Sequence, residues 1–149
     1  MGRILGLDYG RRRIGIAISD PLGITAQPLE TLGEGDDKKA IERVAYHIQC
    51  HNVETIVVGY PLTLRGEKGQ SVKMVERFIQ QMQKSISVPI VKWDERLSST
   101  EAERYLKKMK IKSSRQKEKI DQIASVLILQ SYMDFKKGSP LVDPGRIVE

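Results

Sequence analysis

RILGLDYGRRRIGIAIS, residues 3–19, reads as two strands around a tight turn. Arg3 to Leu7 is a short buried run closed by Asp8, and Tyr9 to Arg12 supplies the turn. Arg13 to Ser19 then alternates, with Ile14, Ile16 and Ile18 on one face and Gly15, Ala17 and Ser19 on the other. The hairpin therefore keeps one face small. Outward from it, ITAQPLET (24–31) offers a third strand, which Pro28 demotes to an edge or a ragged one. Asp36 or Asp37 caps a helix running to about Cys50, because Ala40, Ile41, Val44, Ala45 and Ile48 recur at helical spacing. TIVVG (55–59) is the continuous apolar run of a strand covered on both faces, and PLTLRGEKGQ (61–70) is a polar loop.

Val72, Val75, Ile79, Met82 and Ile86 mark a second helix, and VPIVKWD (88–94) another strand. Ser98 with Glu101 forms a capping box that opens a helix through Ala102, Tyr105, Leu106 and Met109. A last helix spans about Gln116 to Phe135. A hairpin-led start followed by crossover units predicts an α/β domain over residues 1–137, a mixed β-sheet flanked by helices, with a tail at 138–149. In such sheets the reacting groups stand beyond the carboxyl ends of strands.

The chain has 149 residues, the size of one domain with a core of its own. Its single cysteine, Cys50, allows no internal disulfide, and its longest apolar runs fall far short of a membrane span. A soluble, cytoplasmic protein with no membrane partner is expected. The formal net charge is +6, and it is concentrated. Between Arg104 and Lys119 stand eight basic residues and one acid, net +7, whereas the remainder carries seventeen bases against eighteen acids, net −1. One short stretch thus holds the whole excess, the footprint expected of a polyanion partner.

Three acids stand where apolar patterning ends or is broken: Asp8, Glu95 and Asp121. Alone, Asp8 is a turn-former, Glu95 a salt-bridge partner for Arg96, and Asp121 a complement to a helix dipole. Together they are hard oxygen ligands from separate elements, the donor set for Mg²⁺ or Mn²⁺, and a metal pair can clamp the attacking and leaving oxygens of phosphodiester hydrolysis. Alternation puts Asp94 and Glu95 on opposite faces and does not choose between them.

Four blocks carry a family resemblance: GLDYGRRRIGIAISD (6–20), VVGYPLTLRGEKGQS (57–71), DERLSST (94–100) and KIDQIASVLILQSYMD (119–134). In order and spacing they resemble the signature blocks of the YqgF family, also called RuvX. The resemblance implies a ribonuclease-H-like fold and a metal-dependent nuclease, with Asp8, Glu95 and Asp121 as catalytic, metal-holding acids. It also implies structured nucleic acid as partner, with 5′-end maturation of pre-16S rRNA as the reaction and Holliday junction resolution on branched DNA as the alternative. A third reading is a non-catalytic nucleic-acid-binding factor in transcription or ribosome assembly. Asp20 is a further candidate ligand, and Tyr60 and Thr63 stand where the family's usual loop block has Leu and Asn.

Only eight aromatic residues are present and no RNP-type motif occurs, so recognition is expected to rest on phosphates and shape. Candidate phosphate contacts are Arg11, Arg12, Arg13, Arg65 and Lys68, together with Lys107, Lys108, Lys110, Arg115 and Lys117 from the basic stretch. His47, Cys50 and His51 share one helix turn but lack a fourth zinc ligand. Asp8-Tyr9-Gly10 also resembles the phosphate hairpin of actin-like ATPases, which need two such domains. No GxxxxGK[ST] loop occurs, which excludes a P-loop NTPase.

Overall fold

The computed structural model describes residues 2–10, 12–33, 35–62, 65–95 and 114–138, the side chains of 114–122 and 138 excepted. Its first hairpin joins β1 (Arg3–Tyr9) to β2 (Ile14–Ser19), pairing Asp8 with Gly15 and Tyr9 with Ile14. β1 runs two residues past the expected Leu7, so the turn lies at 10–13 and Gly10 N–H donates to Arg13 O at 2.9 Å. Tyr9 is held in the strand by its side chain, which stacks on Phe78 at 4.5 Å and donates its hydroxyl to Asp37.

β3 (Ala26–Leu32) is the edge strand that Pro28 predicts, and its ladder to β2 shifts register between Ile16 and Ala17, opposite that proline. β4 (Val53–Tyr60) and β5 (Ile90–Asp94) add in parallel to the other side of β1, giving a five-stranded mixed sheet in the order β3-β2-β1-β4-β5.

Helix α1 (Asp37–His51) starts at Asp36, whose carboxylate accepts from Lys38 N–H at 2.9 Å. It ends at Asn52, whose left-handed conformation (φ 52°) returns its N–H to Ile48 O. Helix α2 (Gln70–Gln83) presents Val72, Val75, Phe78, Ile79 and Met82, and α3 (Ser114–Gly138) is the last helix. The helix expected at 98–109 and the tail at 139–149 lie outside the described residues.

The sheet is covered on both sides, and the hairpin's two faces say by what. Leu5, Leu7, Ile14, Ile16, Ile18, Ile56 and Val58 pack with the buried stripes of α1 and α2. Ala17, Val57, Val91 and Trp93 pack with Ile128, Leu129, Tyr132 and Met133 of α3. The small face exists because α3 comes close: a β-carbon at Gly6 would stand 2.8 Å from Leu129 Cβ and 3.2 Å from Ser125 O. Gln130 fixes the helix to the edge strand, accepting from Ala26 N–H at 2.8 Å and donating to Ile24 O at 3.1 Å. No described helix is long and apolar enough to cross a membrane.

Candidate active site

Because β1, β4 and β5 run parallel, their carboxyl ends meet at one edge of the sheet. On β1, Leu5 and Leu7 point to α1 and α2 while Gly6 meets α3, so alternation puts Asp8 on the α3 face. On β5, Val91 and Trp93 pack against α3, which turns Asp94 to the other face and brings Glu95, just past the strand, back to the α3 side. This parity separates the two acids that sequence alone left equivalent. Asp94 is buried on the α1–α2 face, beside Tyr60 in the ladder.

Glu95 reaches Asp8 across β4. The strand gives it room at Gly59, where a β-carbon would stand 2.5 Å from Glu95 Oε1 and 2.6 Å from Ile128 Cδ1. Sequence reading missed this glycine, although a glycine ending a buried strand is itself a sign of close approach. The side chains of Glu95 and Asp8 are hydrogen-bonded. Burial first, then the Asp8 charge and that hydrogen bond, and then Asp94, push the Glu95 carboxyl up to about 8. Without a cation, the pair therefore keeps a proton at neutral pH.

Asp121 lies in α3, and its side chain is outside the described residues. Among the described residues no group of three His, Cys, Asp or Glu side chains is arranged to hold a metal. The zinc alternative is taken apart by its neighbours. His47 Nε2 lies 2.6 Å from Glu30 Oε2, His51 Nδ1 faces Arg3 at 3.3 Å, and Cys50 is exposed. Asp20 is not a ligand of the Asp8 pair. It terminates β2 at the opposite end of the sheet, where its carboxylate accepts from Ile24 N–H at 2.7 Å and shapes the β2–β3 turn.

Of the expected phosphate contacts, Arg12 and Arg13 stand in the turn directly after β1, and Arg65 and Lys68 in the loop after β4. All four thus belong to connections leaving the Asp8 end. Lys68 is paired with Glu76 at 3.3 Å. Arg11, Lys107, Lys108 and Lys110 lie outside the described residues, as do the side chains of Arg115 and Lys117.

Residues 2–135 match the family described as RuvX: Holliday junction resolvase. The chain belongs to the RuvX family. A relative from Ruminiclostridium cellulolyticum is 45% identical over 133 residues, covering 89% of this chain and 94% of that protein. One from Thermoanaerobacter pseudethanolicus is 43% identical over 136 residues, covering 91% and 98%. Each bears the name "Putative pre-16S rRNA nuclease". As a RuvX protein the chain is a nuclease, a hydrolase of phosphodiester bonds.

Among solved structures, T. thermophilus RuvC in complex with a Holliday junction substrate superposes with a TM-score of 0.65 at 12% identity, covering 99% of this chain and 100% of that one. The yeast mitochondrial Holliday junction resolvase Ydc2 gives 0.54 at 13%, covering 91% and 79%. At these identities the likeness is one of fold. It is the ribonuclease-H-like fold expected of a RuvX sequence.

Proposed function

We propose that this RuvX protein cleaves structured RNA in the cytoplasm, that 5′-end maturation of pre-16S rRNA is its reaction, and that Asp8, Glu95 and Asp121 hold Mg²⁺ or Mn²⁺. The observation that carries the reading is the Asp8–Glu95 pair, two partly buried carboxylates facing one another at the carboxyl ends of β1 and β5. Oxygen donors of this kind suit a hard divalent cation, and a cation offsets the burial and the Asp8 charge that together retain a proton on Glu95. When bound, the cation supplies electrophilic activation of the phosphodiester and lowers the pKa of a water molecule.

The chain's own groups do the rest. Gly59 admits the Glu95 carboxylate beside Asp8, and the α3 side chains Ile128 and Leu129 wall the site from below. Arg12, Arg13 and Arg65 leave the same edge and hold substrate phosphates by charge-assisted hydrogen bonds. Arg11, Lys68, Lys107, Lys108, Lys110, Arg115 and Lys117 extend that footprint along the strand being cut.

The second reading, Holliday junction resolution, is favoured by the description of the family itself. It requires a symmetric dimer to cut two strands. Pre-16S rRNA and a four-way DNA junction offered side by side, with Mg²⁺ or with EDTA, decide between them. Cleavage of the RNA that EDTA stops is the expected result. A cut junction beside intact RNA replaces it with the resolvase reading, and binding without cleavage of either returns the chain to a binding factor.

A further inference from the structure

On the opposite side of the sheet from Asp8, one carboxylate oxygen gathers a group from the end of β4 and another from the connection that follows it. Tyr60, fully buried at the end of that strand, donates its hydroxyl to Glu76 Oε1 on α2. Lys68, late in the loop, lies 3.3 Å from the same oxygen. Lys92 of β5 stands 5.6 Å from the centre of the Tyr60 ring. The Tyr60 hydrogen bond, with Lys68 and Lys92 beside it, holds the Glu76 carboxyl below the usual range, so the charge that attracts Lys68 is permanent near neutral pH.

The pair by itself is a surface ion pair, with Lys68 half exposed, and such pairs contribute little to stability. Its geometry matters more than its energy. Gly69 caps α2 without any side-chain hydrogen bond, and Lys68 beside it ties the loop's end to the body of the helix. A long side chain finds Glu76 in one place because a buried phenol fixes that carboxylate's rotamer.

We propose that Tyr60 is a positioning residue: through Glu76 it sets Lys68, and with it the segment 65–71, at the edge of the sheet where substrate phosphates are bound. The proposal rests on the nuclease reading, since it gives the segment a substrate to meet. A phenol used only for packing would leave the loop and substrate affinity unchanged on loss of its oxygen. A phenol that positions the loop transmits that loss to substrate binding and not to the chemical step.

Tyr60→Phe deletes the hydroxyl alone, and Glu76→Gln, at a partly exposed site, weakens both links should the first variant fail to fold. Amide hydrogen exchange of the free protein over residues 65–71, and KM and kcat for Mg²⁺-dependent cleavage of a pre-16S leader RNA, are measured in parent and variants. The expected result is faster exchange confined to 65–71 and a KM raised about three- to tenfold at unchanged kcat. Unchanged exchange, unchanged KM, or a fall in kcat at constant KM overturns the proposal. Should the parent cleave no RNA, the nuclease reading fails on that result. The exchange measurement, with RNA affinity by fluorescence anisotropy, then decides the role of Tyr60 alone, and parent-like values in both overturn it.

Discussion

Glu95 Oε1 occupies the space that a side chain at position 59 would need, since a β-carbon there would stand 2.5 Å away. Gly59→Ala must therefore displace either the carboxylate or Ile128 Cδ1, which is 2.6 Å from the same point. We expect a loss of about 1–3 kcal/mol, typical of overpacking. Cleavage should fall out of proportion to that loss, because the carboxylate is the more movable neighbour. Chemical denaturation and single-turnover cleavage at saturating RNA check the two halves.

The raised Glu95 carboxyl gives a signed pH dependence. In the folded, metal-free protein it stays protonated up to about 8, whereas in the unfolded chain it ionises near its ordinary value of 4.5. Between those values the folded state binds more protons, so the stability contributed by this group is full below about 4.5 and is lost as pH rises towards 8. Denaturation in EDTA at pH 5.5 and pH 8 should show that decline, and Glu95→Gln should flatten it. Mg²⁺ competes with the same proton, so its apparent affinity should climb over the same range. A parent curve as flat as the variant's would remove the shift.

Asp8→Asn takes away the charge that faces Glu95. Cleavage should drop by more than about a hundredfold, as expected on removing a metal ligand. The metal-free melting temperature at pH 8 should be unchanged or slightly higher, because a like-charge contact has gone. A variant with parent-like cleavage would exclude Asp8 from the site. Asp121→Asn should follow Asp8→Asn in activity, which tests the third acid without recourse to its geometry.

The basic stretch makes a separate prediction. Replacing Lys107, Lys108 and Lys110 by Gln should weaken binding across unrelated sequences alike and flatten the slope of log K against log[salt] by roughly one unit per lost phosphate contact. Turnover at saturating substrate should change little. Overlapping salt titrations of parent and triple variant would mark the stretch as a solvated surface.

Much of the frame was legible because local rules and tertiary packing agree. Pro28 marks an edge and Asp36 a cap, and the continuous apolar run of β4 marks a doubly covered strand. The departures lie where a distant side chain decides. Tyr9 reads as a turn residue, yet Phe78 and Asp37, far along the chain, draw it into β1. The site was legible by type and not by choice. Placing Glu95 and not Asp94 on the same side of the sheet as Asp8 needed the position at which α3 packs. Asp20 looked like a ligand because its type was right, but β2 runs antiparallel to β1 and delivers it to the wrong end.

The late position of α3 in the chain also orders events on the ribosome. When residue 95 has emerged, every strand of the sheet exists, with α1 and α2 to cover one side. Ala17, Val57, Val91 and Trp93 then wait for Ile128, Leu129, Tyr132 and Met133, which are made later. A nascent chain paused before residue 114 lacks the α3 side chains that pack on this face and the helix that carries Asp121. On the proposed site such a chain lacks one of the three acids, and the apolar face that α3 would cover is the kind of surface that holdase chaperones bind.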